Sequence, residues 1–134
     1  YESSRDIPVT LLGYISDKKY LASIIASSDI SIAPGPIETF CLAALESLAS
    51  GTPVVCSKTS AVGEFLLTGA NSYVGLAAEN NGASIAQAVQ ELIIKLQSDK
   101  TLRSRCQHQA ENFPWSSTIS QMLSIEARRI LRAA

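Results

Sequence analysis

Two carboxylates, Glu38 and Glu46, frame the run Glu38-Thr39-Phe40-Cys41-Leu42-Ala43-Ala44-Leu45-Glu46, which lies between a predicted strand and Gly51-Thr52-Pro53. Acids at this spacing, spanning the start of a helix, can bracket one elongated ligand. The unbonded amides of the helix start lie between them and suit an anion. A nucleotide diphosphate-sugar has that shape, with a sugar at one end, two phosphates in the middle and a ribose at the other. The amides of Phe40, Cys41 and Leu42 can donate to phosphate oxygens, helped by the positive end of the helix dipole. Ala43 and Ala44 are small enough to admit a ligand to the backbone. Glu46 lies roughly 12 Å further along the axis if the whole span is helical. Its carboxylate can accept two hydrogen bonds from vicinal ribose hydroxyls. Glu38 can accept from sugar hydroxyls, and Thr39 can cap the helix or bond the sugar. An isolated pair of glutamates more often serves only as a dipole partner and a solvated helix face. The flanking Pro-Gly-Pro turn, the aromatic, the small residues and Gly-Thr-Pro-Val-Val carry the specificity.

The elements that must hold this segment alternate. Val9-Thr10-Leu11-Leu12-Gly13 reads as a short buried strand ending at a glycine. Ser16 and Asp17 offer an N-cap for a helix to about Ser27, with Tyr20, Leu21, Ile24 and Ile25 on one face. Asp29 to Ala33 is the next strand, and Pro34-Gly35-Pro36 forces a turn. The helix after Glu38 carries Leu42, Leu45 and Leu48 or Ala49 as its stripe, and Gly51 is placed to close it with a left-handed cap. Pro53 to Ser57 is a third, apolar strand. Ser60 to Gly69 reads as a loop with one helical turn near Glu64-Phe65-Leu66, and Tyr73-Val74-Gly75 as a short edge strand. Helices follow over 83–97, over 100–112 and, beyond the break at Pro114, from Ser116 or Ser117 onwards. Continuous apolar strands alternating with helices predict an α/β fold: a Rossmann-like parallel sheet with helices on both faces. Ligands of such sheets bind beyond the carboxyl ends of the strands, where the turn 34–39 lies.

A chain of 134 residues is one domain or part of one, and 46% hydrophobic with 17% charged residues is the balance of a core-forming chain. A formal net charge of −1 argues against nucleic acid. Arg128, Arg129 and Arg132 suit a helix C-terminus; contact with an anionic membrane surface is the alternative. Three scattered cysteines, Cys41, Cys56 and Cys106, and the single histidine His108 make no metal-ligand spacing. The expectation is a reduced, cytoplasmic chain without a membrane span or signal peptide. Because it opens on Tyr1 and reaches a strand almost at once, it reads as a piece of something longer.

The stretch from Ala33 to Val55 resembles the donor-binding half of the retaining glycosyltransferases of family 4, which share the GT-B fold. Their pattern runs strand, Pro-rich turn, Glu, any residue, Phe, Gly, helix, Glu, then Gly-Thr-Pro-Val-Val. Pro-Gly-Pro-x-Glu-Thr-Phe looks most like the mannosyltransferase-like members. The resemblance extends to Leu12-Gly13 before an acidic turn and to Phe113-Pro114-Trp115, whose Trp is expected to pack the terminal helix. It implies that residues 1–134 are a donor nucleotide-sugar-binding domain, truncated on its N-terminal side and lacking its acceptor domain. It implies Glu46 on the donor ribose, Glu38 on the transferred sugar, and the amides of Phe40, Cys41 and Leu42 on sugar hydroxyls and diphosphate. The parent would transfer the sugar to an acceptor with retention, in a cleft between two domains at the inner membrane face. No metal or other cofactor is implied, and no Asp-x-Asp motif is present to hold one.

Cys41 departs from this pattern, standing where the family usually has glycine. It adds bulk beside the donor and calls for an ordinary negative φ. A catalytic role for it is disfavoured, because no histidine lies nearby in sequence. The stretch from Tyr73 to Glu79 matches poorly. The family's Arg and Lys for the diphosphate have no counterpart in context, neither at Arg5 nor at Lys18 or Lys19. An incomplete domain of this kind would expose apolar edges and self-associate. Two rivals stand beside the transferase: a nucleotide-sugar 2-epimerase-like domain, whose Ser-Gly-Gly turn is missing, and a non-catalytic nucleotide-binding or assembly fragment.

Overall fold

The computed structural model describes residues 8–65, 67 and 73–133, with the side chains of Phe65 and of 126–133 outside the description. The expectations for Arg5, Leu66, Gly69, Arg128, Arg129 and Arg132 therefore lie outside what is described. Along the chain run α1 (Lys18–Ser27), β1 (Ser31–Ala33), α2 (Leu42–Ala49), β2 (Val54–Ser57), α3 (Val62–Phe65), β3 (Gly75–Ala78), α4 (Gly82–Ser98), α5 (Leu102–Glu111) and α6 (Trp115–Ala133).

Among the described residues the sheet is parallel, in the order β1-β2-β3, with Ala33 opposite Cys56 and Cys56 opposite Ala77. All four residues of β2 are buried, because the central strand is covered on both faces. Its alternation sorts the core. Val54 and Cys56 join Ala44 and Leu48 of α2 and Leu102 and Cys106 of α5. Val55 faces the other way, into Ala88 and Leu92 of α4. The expected α/β sheet with helices on both faces is thus the observed one.

Helix starts follow local chemistry. Asp17 caps α1, accepting from the amides of Lys19 at 2.9 Å and Tyr20 at 3.2 Å. Asn81 caps α4 by accepting from Ser84 N at 2.9 Å. Gly51 closes α2 at φ 80°, as expected.

Several expectations are corrected. Val9 to Gly13 forms no strand: Val9, Leu11 and Leu12 are exposed and pair with nothing among the described residues. The run has strand composition, but a strand exists only where a neighbour accepts its hydrogen bonds, and no described residue of this run pairs with the edge of β1. β3 lies two residues later than the Tyr73 start predicted, with Val74 fully buried just before it. Leu42 is 52% exposed at the head of α2, and the buried positions are Ala44, Ser47 and Leu48. Ser47 can be buried because its hydroxyl is hydrogen-bonded both to Ser31 Oγ at 2.8 Å and to Ala43 O at 2.9 Å, docking α2 on β1. Trp115 opens α6 and is 70% exposed, so it packs that helix less than the resemblance implied.

Candidate functional site

The turn after β1 and the tip of α2 lie beyond the carboxyl end of β1, where an open sheet presents its ligands. Glu38 is held from both sides. Its carbonyl accepts from Ala61 N at 3.0 Å, and the hydroxyl of Thr59 donates to Pro36 O at 2.7 Å, so the loop after β2 staples the turn. A Cβ added at Gly35 would come within 2.6 Å of Glu38 Oε1. The glycine of Pro-Gly-Pro therefore makes room for the glutamate side chain, which lies back over the turn. Sequence reading missed Thr59 and Ala61, since nothing local marks a contact that spans more than twenty residues.

The helix begins at Leu42, four residues beyond Glu38, with Cys41 as its N-cap in the left-handed region at φ 53°. This corrects the expected negative φ. A left-handed residue at this corner is where glycine costs least, which explains why cysteine is the anomaly. Thr39 is exposed and does not cap the helix; no side chain does. The first bonded amide is Ala44 N, 3.0 Å from Cys41 O. Those of Cys41, Leu42 and Ala43 have no partner among the described residues. The open donors thus sit one position later than expected. Because 38–41 is not helical, the 12 Å span does not apply, and Glu46 lies about 6 Å, one turn, beyond the helix start.

The structure separates the side chains into two cavities. Glu46 is exposed and lines a cleft of about 440 Å³ with Ala49 and Ser50 of α2, Tyr14 and Ile15 of the preceding loop, and Lys18, Leu21, Ala22 and Ile25 of α1. Phe40, Leu42 and Leu45 line a smaller cavity of about 210 Å³ with Phe113, Trp115 and Thr118. There Phe40 meets Phe113 edge to face at 6.0 Å. Phe40 and Leu42 can accordingly meet a ligand beside Glu46 through backbone only. Tyr14, Ile15 and Lys18 were not singled out for this cleft in the sequence. Only the tertiary fold brings the loop before α1 against the second half of α2.

The cysteines are not arranged for nucleophilic chemistry. Burial, then the neighbouring Cys41 thiol, pushes Cys56 up to about 11, and burial pushes Cys106 up to about 12. Among the described residues no group of three or more His, Cys, Asp or Glu side chains could hold a metal ion. No helix among them is long and apolar enough to cross a membrane.

Comparisons with known proteins place the chain in a family and a fold. Residues 2–95 match the family Glycosyl transferases group 1. The chain is 41% identical over 119 residues to the GDP-mannose-dependent alpha-(1-6)-phosphatidylinositol dimannoside mannosyltransferase of Mycobacterium tuberculosis, covering 88% of this chain and 29% of that protein. It is 33% identical over 114 residues to the D-inositol 3-phosphate glycosyltransferase of Mycobacteroides abscessus, covering 84% of this chain and 25% of that protein. Among solved structures, sucrose-phosphate synthase from Thermosynechococcus elongatus superposes with a TM-score of 0.77 at 26% identity, covering 94% of this chain and 31% of that one. The chain thus spans less than a third of the length of these relatives.

Proposed function

This chain belongs to the glycosyl transferase group 1 family, and from that premise we propose that it is the donor-binding unit of a retaining glycosyltransferase. It would hold a nucleotide diphosphate-sugar with the diphosphate on the open amides of Cys41, Leu42 and Ala43. The nucleoside end enters the 440 Å³ cleft, where Glu46 accepts from the ribose hydroxyls and Tyr14 and Ile15 flank the base. Glu38 and Thr39, on the stapled turn, meet the transferred sugar. The name of the mycobacterial relative makes GDP-mannose the first donor to test. For a longer protein that contains this unit, the same reading places an acceptor on a further domain and the work at the cytoplasmic face of a membrane.

One observation supports this reading above the others: unbonded helix-start amides lie within a turn of a carboxylate that faces a cleft of nucleoside size. In the reaction these amides offset negative charge that grows on the departing diphosphate. They need no reorganisation, because α2 is anchored through buried Leu48 and Ser47. Lys18 adds a cation at the cleft, opposite in sign to the phosphates. In this reading these groups contribute by stabilising the leaving group.

Calorimetric titration with a panel of nucleotide sugars tests the assignment. Glu46→Ala should weaken every ribose-bearing donor by about 1.5–3 kcal/mol, the loss of a hydrogen bond to a charged group. Unchanged affinity in that variant would remove the ribose from this cleft. A second reading, an assembly piece without turnover, draws on the exposed run Val9, Leu11 and Leu12 and on Ile32 in β1, half exposed. Sugar transfer by the chain itself would exclude it.

A further inference from the structure

α1 forms one wall of the Glu46 cleft, yet none of its residues is buried. Leu21, Ile24 and Ile25 are half-covered, and Tyr20 is 57% exposed. Apolar packing of this kind leaves a short helix free to shift. What holds it is polar and lies at its C-terminal end. Thr52, fully buried after α2, donates its hydroxyl to Ile25 O at 2.7 Å. From α5, Arg103 Nη2 donates to Ser28 O at 3.0 Å and Nη1 to Ala26 O at 3.3 Å. The same Nη1 reaches Gly51 O, just past α2, at 3.4 Å. One guanidinium therefore ties together the C-terminal ends of the two helices that form the cleft. The fork of donors on a rigid plane is what allows one side chain to do this. The last turn of α1 has no basic residue of its own, so Arg103 also supplies the cation that its terminal carbonyls favour. A carboxylate is near as well, Asp29 Oδ1 at 3.8 Å, but it is 82% exposed and adds little.

Arg103 itself lines no part of the cleft. We infer that Arg103 is a positioning residue for nucleotide binding: by clamping Ala26, Ser28 and Gly51 carbonyls it sets the separation of α1 from α2, and so the width of the cleft in which Glu46 works. This rests on the reading of that cleft as the nucleoside site. The fold also prepares the contact. Gly51, at φ 80°, lets α5 approach so closely that an added Cβ would lie 3.4 Å from Arg103 O. A ribose held between two walls tolerates displacements well under about 1 Å before its hydrogen bonds degrade, so a loose wall translates directly into lost affinity.

The test compares the unaltered chain with Arg103→Met, Arg103→Lys and Thr52→Val. Two measurements are made on each: amide hydrogen exchange along the chain, and calorimetric affinity for whichever of ADP, GDP and UDP the unaltered chain binds best. In Arg103→Met, amides of 18–27 should exchange roughly tenfold faster while those of β2 and α4 keep their rates, and the nucleotide Kd should rise roughly tenfold, as expected for losing hydrogen bonds from a charged group. Arg103→Lys should fall between, since one ammonium cannot span three carbonyls. Thr52→Val should loosen the same helix by the same route, which keeps the idea testable if Arg103→Met folds poorly. Faster exchange spread evenly over the whole chain with unaltered affinity would make Arg103 merely structural and overturn the inference. So would a loosened α1 that binds nucleotide as before. If the unaltered chain and Glu46→Ala alike bind none of the three nucleotides, the nucleoside reading of the cleft falls, and this role with it. If only the Arg103 and Thr52 variants match the unaltered chain in Kd, the cleft reading stands and this inference alone fails.

Discussion

Gly51 at the C-terminal end of α2 and Cys41 at its N-terminal end both sit in left-handed backbone, at φ 80° and φ 53°. The two corners are otherwise unlike. At Gly51 the chain is closed: its amide donates to Leu48 O at 2.9 Å, Thr52 N donates to Ser47 O at 2.9 Å, and α5 packs tightly over the turn. At Cys41 the chain is open: no side chain caps the helix, and three successive amides have no partner among the described residues. One corner uses glycine to let backbone meet backbone. The other bears a side chain in the same strained region and leaves its donors for something else. The difference teaches that α2 is held at its C-terminal end and leaves backbone donors open at its N-terminal end.

The comparison can be broken most forcefully at the centre of the helix. Leu48 is fully buried between the two corners. Leu48→Ala should cost about 2–5 kcal/mol in denaturant unfolding, and donor binding should fall with the folded population. A loss under about 1 kcal/mol would mean that α2 is not anchored there.

Gly51→Ala should separate the ends. It forces a Cβ into the left-handed region and against Arg103 O, for about 1–2 kcal/mol of stability. Donor affinity per folded molecule should fall less than in Glu46→Ala. The opposite ranking, measured by calorimetry beside urea melts, would place the working end at Gly51.

Cys41→Gly should change stability in the favourable direction, and by less. Removing the left-handed penalty returns about 1–2 kcal/mol. The added freedom of glycine in the unfolded chain takes back about 0.5–1 kcal/mol, and the thiol's contacts with the core are lost. The net gain expected is below about 1 kcal/mol in thermal or urea unfolding; a clear loss would show that the thiol's packing outweighs its backbone strain.

The smallest effect is chemical. At pH 8 a thiol raised to about 11 is ionised in about one molecule in a thousand, so iodoacetamide should leave Cys56 intact, and Cys106 with it. Cys41, half-buried at the open corner, should be modified first, as read by mass spectrometry of the native chain. Equal labelling of all three would mean that the core opens as readily as the helix tip.

Much of this was legible before any coordinates. Strand composition and period located β1, β2 and α2, because β-branched runs, a three-to-four apolar spacing and Gly51 each act within a few residues. Asp17 declared a helix start for the same reason: a cap reaches only three residues ahead. The segment from Glu38 to Glu46 was also legible, down to its open amides, though displaced by one position. Val9 to Leu12 was misread, since its pairing depends on a neighbour and not on its own composition.

What the amino-acid order determined, then, was local: which stretches turn, which bury one face, and where a helix offers bare amides between two acids. Tertiary structure decided everything that joins distant residues. It folded Glu38 back over Gly35 and stapled the turn through Thr59 and Ala61. It sent Phe40 to Phe113 and Glu46 to Tyr14 and Lys18, into different cavities. And it carried Arg103 across the chain to the ends of α1 and α2. Propensities and caps act through the nearest turn of backbone, whereas a cleft is a relation between helices that only their packing on a shared sheet can set.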